Sequence, residues 1–135
     1  MNTEVLNPKS ALLLEAGLNV LHFESQEWLG TIDFWKDEIK FFDILLKKKE
    51  PQEDHQKDFR KILEDLEGIH VNLFKYMEND IIAHEKILSR LQKNEKGVSD
   101  SIYRENHRKL MVRMDSFKNE FLKFKKIVFK FVKNL

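Results

Sequence analysis

Residues 103–135 read YRENHRKLMVRMDSFKNEFLKFKKIVFKFVKNL, and this stretch decides the fold. Its inward positions recur at steps that alternate between four and three residues, which is the period of a helix that packs along a continuous seam. The stretch therefore predicts a long amphipathic helix that continues to residue 135. The seam positions are Tyr103, His107, Leu110, Met114, Phe117, Phe121, Phe124, Val128, Phe131 and Leu135.

Two further segments upstream have the same spacing. The first covers about residues 18–49 and ends where a proline follows, because the residue before proline is disfavoured in a helix. The second covers about residues 51–94 and ends before Gly97, which suits the left-handed position of a helix C-cap. Ser99 or Asp100 can then cap the third helix.

These segments predict how the chain folds as a whole. Because the loops between them are short, neighbouring helices must be antiparallel. The predicted fold is all-α, an antiparallel up-down-up bundle of three long helices, and a break near Gly68 gives an alternative with four helices. The inward positions of the first segment are Leu18, Leu21, Ser25, Trp28, Ile32, Trp35, Ile39, Phe42 and Leu46. Those of the second are Phe59, Leu63, Leu66, His70, Leu73, Met77, Asp80, His84, Ile87 and Leu91.

The chain has the length and composition of one domain. Its 135 residues are 41% apolar and include eleven phenylalanines, which is enough for a substantial core. We expect residues 18–135 to form a single bundle domain and residues 1–17 to form an N-terminal arm that packs over one end of it.

Composition also restricts the function. A net charge of +1 gives no general attraction to nucleic acid, and the absence of cysteine excludes disulfides and thiolate metal sites. The apolar run at residues 11–14 is too short to span a bilayer, and no basic stretch precedes it, so we expect a cytoplasmic protein. Phosphate-binding loops, nucleophile elbows and His-Glu-x-x-His helices do not occur, and we expect no enzymatic activity.

The C-terminal helix is basic. An amphipathic helix of this kind can bind an anionic membrane surface. Antiparallel packing, however, places these lysines beside acidic residues near the start of the second helix, and contact with a membrane surface is therefore not expected. The lysines are Lys118, Lys123, Lys125, Lys126, Lys130 and Lys133, and the acidic residues are Glu53, Asp54, Asp58, Glu64 and Asp65.

Several polar residues interrupt the apolar seams. An imidazole at an inward position must find a partner, because burying an unpaired polar group is costly. Residues equidistant from a turn lie at the same height in antiparallel helices, and this brings Ser25 and four ionisable residues into one layer. The ionisable residues are His22, Asp80, His84 and His107.

This layer has two interpretations. In the first, it is a structural polar layer that fixes the helix register in a bundle that binds a protein partner or a second copy of itself. In the second, His22, Asp80, His84 and His107 hold a divalent metal ion such as Zn, Fe or Mn, or bind a small ligand. Glu24 lies nearby and is a candidate for orienting a histidine.

Three stretches carry a resemblance to known proteins. Residues 21–29 (LHFESQEWL), 34–39 (FWKDEI) and 79–85 (NDIIAHE), together with His107 and Phe117, resemble small uncharacterised helical proteins that are common in Bacteroidetes-type bacteria. Those proteins look like Leu-His-x-Glu-His-x-x-Trp-Leu, Phe-Tyr-Lys-Asp-Glu-Ile and His-Asp-Ile-x-x-His-Glu in the same places. The resemblance implies a fold and no function.

The chain departs from that pattern at two positions. Ser25 and Asn79 stand where the resembled proteins have histidine, and both lie in or beside the predicted polar layer. If that group holds a metal ion there, this chain lacks two of its ligands. The resemblance therefore implies weaker metal binding here than in the group.

Overall fold

The computed structural model describes residues 17–49, 51 and 55–135, and in these residues the chain forms three helices and no strand. Helix α1 is Leu18–Lys48 and helix α3 is Asp100–Lys133. The predicted all-α class is confirmed. The predicted arm, apart from Gly17, lies outside the described residues.

Helix α2 consists of three contiguous parts. An α-helical part, Gln56–Val71, is followed by a π-helical part, Asn72–Met77, and a second α-helical part, Glu78–Gln92. The backbone stays helical at both junctions and also through Gly68. The three-helix prediction is therefore correct, and the four-helix alternative is wrong.

Helix α2 runs antiparallel to both of its neighbours. The end of α2 meets the start of α1, where Glu85 pairs with His22. The start of α2 meets the end of α3, where the ring of Phe59 lies 6.2 Å from that of Phe131. Helices α1 and α3 are therefore parallel, which completes the up-down-up arrangement. In the described part of the chain no helix has both the length and the apolar character needed to cross a bilayer.

The core follows the predicted seams of α1 and α3. Every inward residue predicted for α1 from Leu21 to Leu46 is buried, and so is every one predicted for α3 from Tyr103 to Val128. At the C-terminus the seam ends early, because Phe131 is only partly buried and Leu135 is exposed.

The seam of α2 changes phase in the π-helical part. Before the π-helical part, Phe59, Ile62 and Leu66 are buried and Ile69 is partly buried, at steps of three and four, but Leu73, Met77 and Ile81 are separated by two successive steps of four. A π-helical turn closes i→i+5 hydrogen bonds and so takes up one extra residue. After it, Ile81, His84 and Leu88 point inward, whereas Asp80 is exposed.

Two predictions for α2 are therefore wrong, and a third needs correction. The predicted inward residues His70 and Asp80 are exposed. Ile69 takes the place of His70 against the core, and Asp80 turns outward because the seam changes phase before it. The helix also begins at Gln56 instead of Pro51.

The loop between α2 and α3 is capped at both ends. Asn94 adopts the left-handed conformation with φ of 57°, and the N–H groups of Asn94 and Glu95 donate to the carbonyls of Leu91 and Arg90. This is a Schellman motif, so Asn94 and not Gly97 terminates α2. Gly97 is also left-handed, with φ of 85°, but lies within the loop. Ser99 caps α3, as predicted, by accepting a hydrogen bond from the backbone N–H of Ile102.

The extra residue in α2 gives a testable prediction. Deleting Tyr76, which is exposed, leaves buried positions that alternate by three and four along the whole helix. We expect this variant to fold with a melting temperature equal to or above that of the parent. Deleting Thr31 from the regular helix α1 should instead lower the free energy of unfolding by about 3 kcal/mol or more, because it rotates half of the seam away from the core. Urea unfolding measures both, and equal destabilisation by the two deletions would contradict the prediction.

Candidate functional site: a buried histidine pair

Two buried histidines face each other between α2 and α3. His84 and His107 are 4% and 1% exposed, and Nε2 of His84 lies 3.0 Å from Nδ1 of His107. His84 is a buried position of the last α-helical part of α2, and the regular seam of α3 carries His107 to the same height. This pair is the centre of the predicted polar layer.

Aromatic rings hold both imidazoles in place. The ring of His84 stacks on that of Tyr103, with centroids 4.2 Å apart and an angle of 4° between the planes. The ring of His107 stacks on that of Trp28 at 4.5 Å and 27°. Stacking occupies the faces of the imidazoles and leaves their nitrogen-bearing edges to meet polar groups.

A carboxylate extends the pair into a chain of three groups. Nε2 of His107 lies 3.4 Å from Oε1 of Glu24 on α1. If Nε2 of His84 donates to Nδ1 of His107, the proton of His107 sits on Nε2 and faces the carboxylate. In the opposite arrangement the lone pair of Nε2 of His107 would face the negatively charged carboxylate of Glu24. Electrostatic repulsion disfavours that arrangement, so the first one is assigned.

Burial keeps both imidazoles neutral. It lowers the pKa of His84 to about 4, although the nearby Glu85 opposes this effect. It lowers the pKa of His107 to about 3, and the neighbouring His84 lowers it further. Burial also raises the pKa of the Tyr103 phenol, with a smaller contribution from Glu85. At neutral pH the layer therefore consists of uncharged rings next to carboxylates.

Further polar atoms are buried around the pair. The hydroxyl oxygens of Ser25 and Tyr103 and one carboxylate oxygen of Glu85 have no hydrogen-bond partner within the described part of the chain. Buried polar groups of this kind usually bond to water or to a ligand. The layer can therefore donate and accept hydrogen bonds in addition to those between its own side chains.

The structure brings two of the four predicted site residues together. His84 and His107 are adjacent, but the side chain of His22 is 52% exposed and its Nδ1 lies 2.6 Å from Oε2 of Glu85. Asp80 is exposed and pairs with Arg113 at 2.8 Å. Placing Asp80 in the layer was wrong, because the extra residue before it turns it outward.

The stacking partners were not predicted as part of the site. Trp28 and Tyr103 were expected in the core but not as neighbours of the imidazoles. Tyr103 lies one turn before His107, and this spacing was the available signal. Glu24 was expected nearby and does face His107.

The geometry does not form a complete metal site from protein side chains. Among the residues that the structure describes, no three or more histidine, aspartate or glutamate side chains are grouped so that they could hold a metal ion. Comparisons with protein-family models, curated proteins and solved structures found no match to this chain.

The lowered pKa values predict how stability depends on pH. A histidine in the unfolded chain has its ordinary pKa of about 6.5. Below that pH the two histidines are therefore protonated in the unfolded state but stay neutral in the folded state. The contribution of the two neutral histidines to the free energy of unfolding is fully present above pH 6.5, and it is lost as the pH falls toward their folded-state pKa values of about 4 and 3. We expect the free energy of unfolding to decrease by about 1.4 kcal/mol per pH unit for each of the two histidines.

Urea unfolding at pH 7, 6 and 5 measures this slope. The double variant His84→Leu, His107→Leu should show a shallower slope, whereas His70→Gln, which changes an exposed histidine, should keep the slope of the parent. Identical slopes for the parent and the double variant would show that the buried pair is not responsible.

Proposed function

We propose that this chain is a non-enzymatic helical bundle that acts by binding a protein partner or a second copy of itself. The observation that carries the proposal is a set of exposed apolar side chains on α1 and α3. These are Phe34, Phe41, Leu122 and Phe129, with exposures of 63%, 55%, 45% and 54%, and we call them the outer apolar face.

The four side chains lie on neighbouring helices. Phe34 and Phe41 are seven residues apart on α1, and Leu122 and Phe129 are seven apart on α3, so each pair lines one side of its helix. The ring of the buried Phe42 lies 5.5 Å from that of Phe41 and 5.6 Å from that of Phe129. The two lines of residues therefore flank the groove where α1 meets α3.

The burial available at this face is sufficient to support association. A fully buried phenylalanine or leucine contributes about 1.5–3 kcal/mol, so covering a half-exposed one contributes about 1 kcal/mol. Large apolar patches on a folded surface commonly mark interaction sites. The histidine layer supports this function by fixing the register of α2 against α3, since its hydrogen bonds form in one alignment only.

A photo-crosslinker tests the proposed function in cells. We expect a benzophenone amino acid in place of Leu122 to form a covalent adduct with a protein, because the residue lies in the contact surface. The same group in place of Ile102, which is 62% exposed and about 30 Å away along α3, is the matched control. Equal labelling at both positions, or no adduct from position 122, would contradict the proposal.

Binding of a divalent metal ion is a second candidate function. The 3.0 Å between Nε2 of His84 and Nδ1 of His107 is close to the separation of two adjacent nitrogen ligands on one ion, about 3 Å for metal–nitrogen bonds of about 2.1 Å. A rotation of both rings that makes their nitrogen lone pairs converge would let both nitrogens bind one Zn, Fe or Mn ion, with water or a small ligand at the other positions.

Thermal unfolding with and without Zn²⁺ or Mn²⁺ tests this candidate. If the pair binds the ion, the melting temperature should rise with metal concentration, and His84→Ala, His107→Ala should abolish the rise. His70→Ala, which removes an exposed histidine, should keep it. Purified protein without stoichiometric metal and without a thermal response would contradict metal binding and leave the interaction function in place.

A further inference from the structure

We infer that the outer apolar face binds an amphipathic helix of another protein, in which acidic residues flank the apolar stripe. The inference rests on the proposed function, because it names the chemistry of the partner that this surface takes. It depends on the shape of the groove between α1 and α3, on the lysines beside the groove and on the distribution of charge along it.

The groove has a form that a helix can fill. Lys125 of α3 pairs with Glu38 of α1 at 2.9 Å, and this partly buried ion pair forms part of the floor. Glu38 lies one turn from each residue that α1 contributes to the face, and Lys125 lies one turn from each that α3 contributes. The apolar residues therefore stand on both sides of this floor. Because α1 and α3 are parallel, a third helix laid between the two lines contacts both along its length.

Unpaired lysines stand beside the apolar residues. Lys126 and Lys133 follow Leu122 and Phe129 by one turn each, and Lys48 lies seven residues after Phe41 in the same line of α1. All three lysines are exposed, and within the described residues none of them forms an ion pair. At the ends of α1 and α3 the apolar side chains are therefore surrounded by positive charge.

The acidic residues near the start of α2 do not neutralise this charge. The sequence predicts that they pair with the lysines of α3, but Asp65 pairs with Lys61 of its own helix at 2.9 Å. Among the described residues, neither Asp58 nor Glu64 forms an ion pair with a lysine of α3. Residues 53–54, the other two expected partners, lie outside the described residues. The lysines of the face are therefore available to an acidic partner.

The charge changes sign along the face, and this favours a helix over a membrane surface. Glu27 lies seven residues before Phe34 in the same line of α1, and Asp115 lies seven before Leu122 in the same line of α3. Both carboxylates are exposed. An anionic membrane laid along the two helices would meet them, and opposed like charges are costly. A protein helix can instead carry its acidic residues only where it passes the lysines.

The partner that fits this surface has a defined pattern. Its apolar residues recur at steps of three and four, so that one stripe fills the space between the two lines of the face. Its aspartates or glutamates flank the stripe where the helix passes the ends of α1 and α3. There the opposite charges favour encounter and set the direction of the bound helix.

A synthetic peptide tests this chemistry on the purified full-length chain. The probe is a fluorescein-labelled peptide of three repeats of Leu-Glu-Ala-Leu-Glu-Glu-Gln, and the matched probe has lysine in place of every glutamate. Fluorescence anisotropy should show that the acidic peptide binds about tenfold more tightly than the basic one. Equal binding of the two peptides, or no binding of either, would overturn the inference.

Reversing the charge of the flanking lysines tests the site. The triple variant Lys48→Glu, Lys126→Glu, Lys133→Glu should raise the dissociation constant of the acidic peptide about tenfold, because three exposed ion pairs are lost. It should also bind the basic peptide more tightly than the parent does. The control makes the same change in net charge at exposed lysines away from the face, namely Lys57→Glu, Lys86→Glu and Lys96→Glu. Equal weakening by both triple variants would show a response to net charge alone and overturn the site.

Two further outcomes separate this inference from the proposed function. If vesicles of phosphatidylserine and phosphatidylcholine bind the chain and the acidic peptide does not, the occupant is a membrane surface and the inference fails. If position 122 crosslinks to a protein in cells but the acidic peptide does not bind, the interaction function stands and only the chemistry of the partner is wrong. If neither a peptide complex nor an adduct forms, both the inference and the proposed function fail.

Discussion

The π-helical turn in α2 controls which side chains enter the core of this bundle. A helix that packs against two neighbours must present a buried side chain every three or four residues, and α2 has one residue more than this period allows. The turn at residues 72–77 takes up that residue and changes the phase of the seam. Asp80 consequently lies on the surface and pairs with Arg113, whereas His84 keeps its inward position and meets His107.

The buried histidines depend on this phase and on the rings that enclose them. Trp28 from α1 and Tyr103 from α3 cover the faces of the two imidazoles, so polar groups meet only their edges. Low pKa values keep both rings neutral, and the alignment of His84, His107 and Glu24 brings together side chains from all three helices.

The outer apolar face depends on the same helical period on the opposite side of two helices. Helices α1 and α3 bury one seam inside the bundle and carry a second line of apolar residues beside the groove between them. The internal seam fixes the rotation of each helix, and this places the second line of apolar residues on the outer side of the bundle.

The sequence by itself determined the helical class, the seams of α1 and α3, a helix cap at Ser99 or Asp100 and the burial of His107, because each of these depends on local spacing. Only the tertiary structure decided the phase of α2, the C-cap at Asn94 and the exposure of His22 and Asp80. An extra residue can be absorbed at many places in a helix with little change in the apolar pattern. Packing against α1 and α3 together selects the place, and a single-helix pattern does not contain that information.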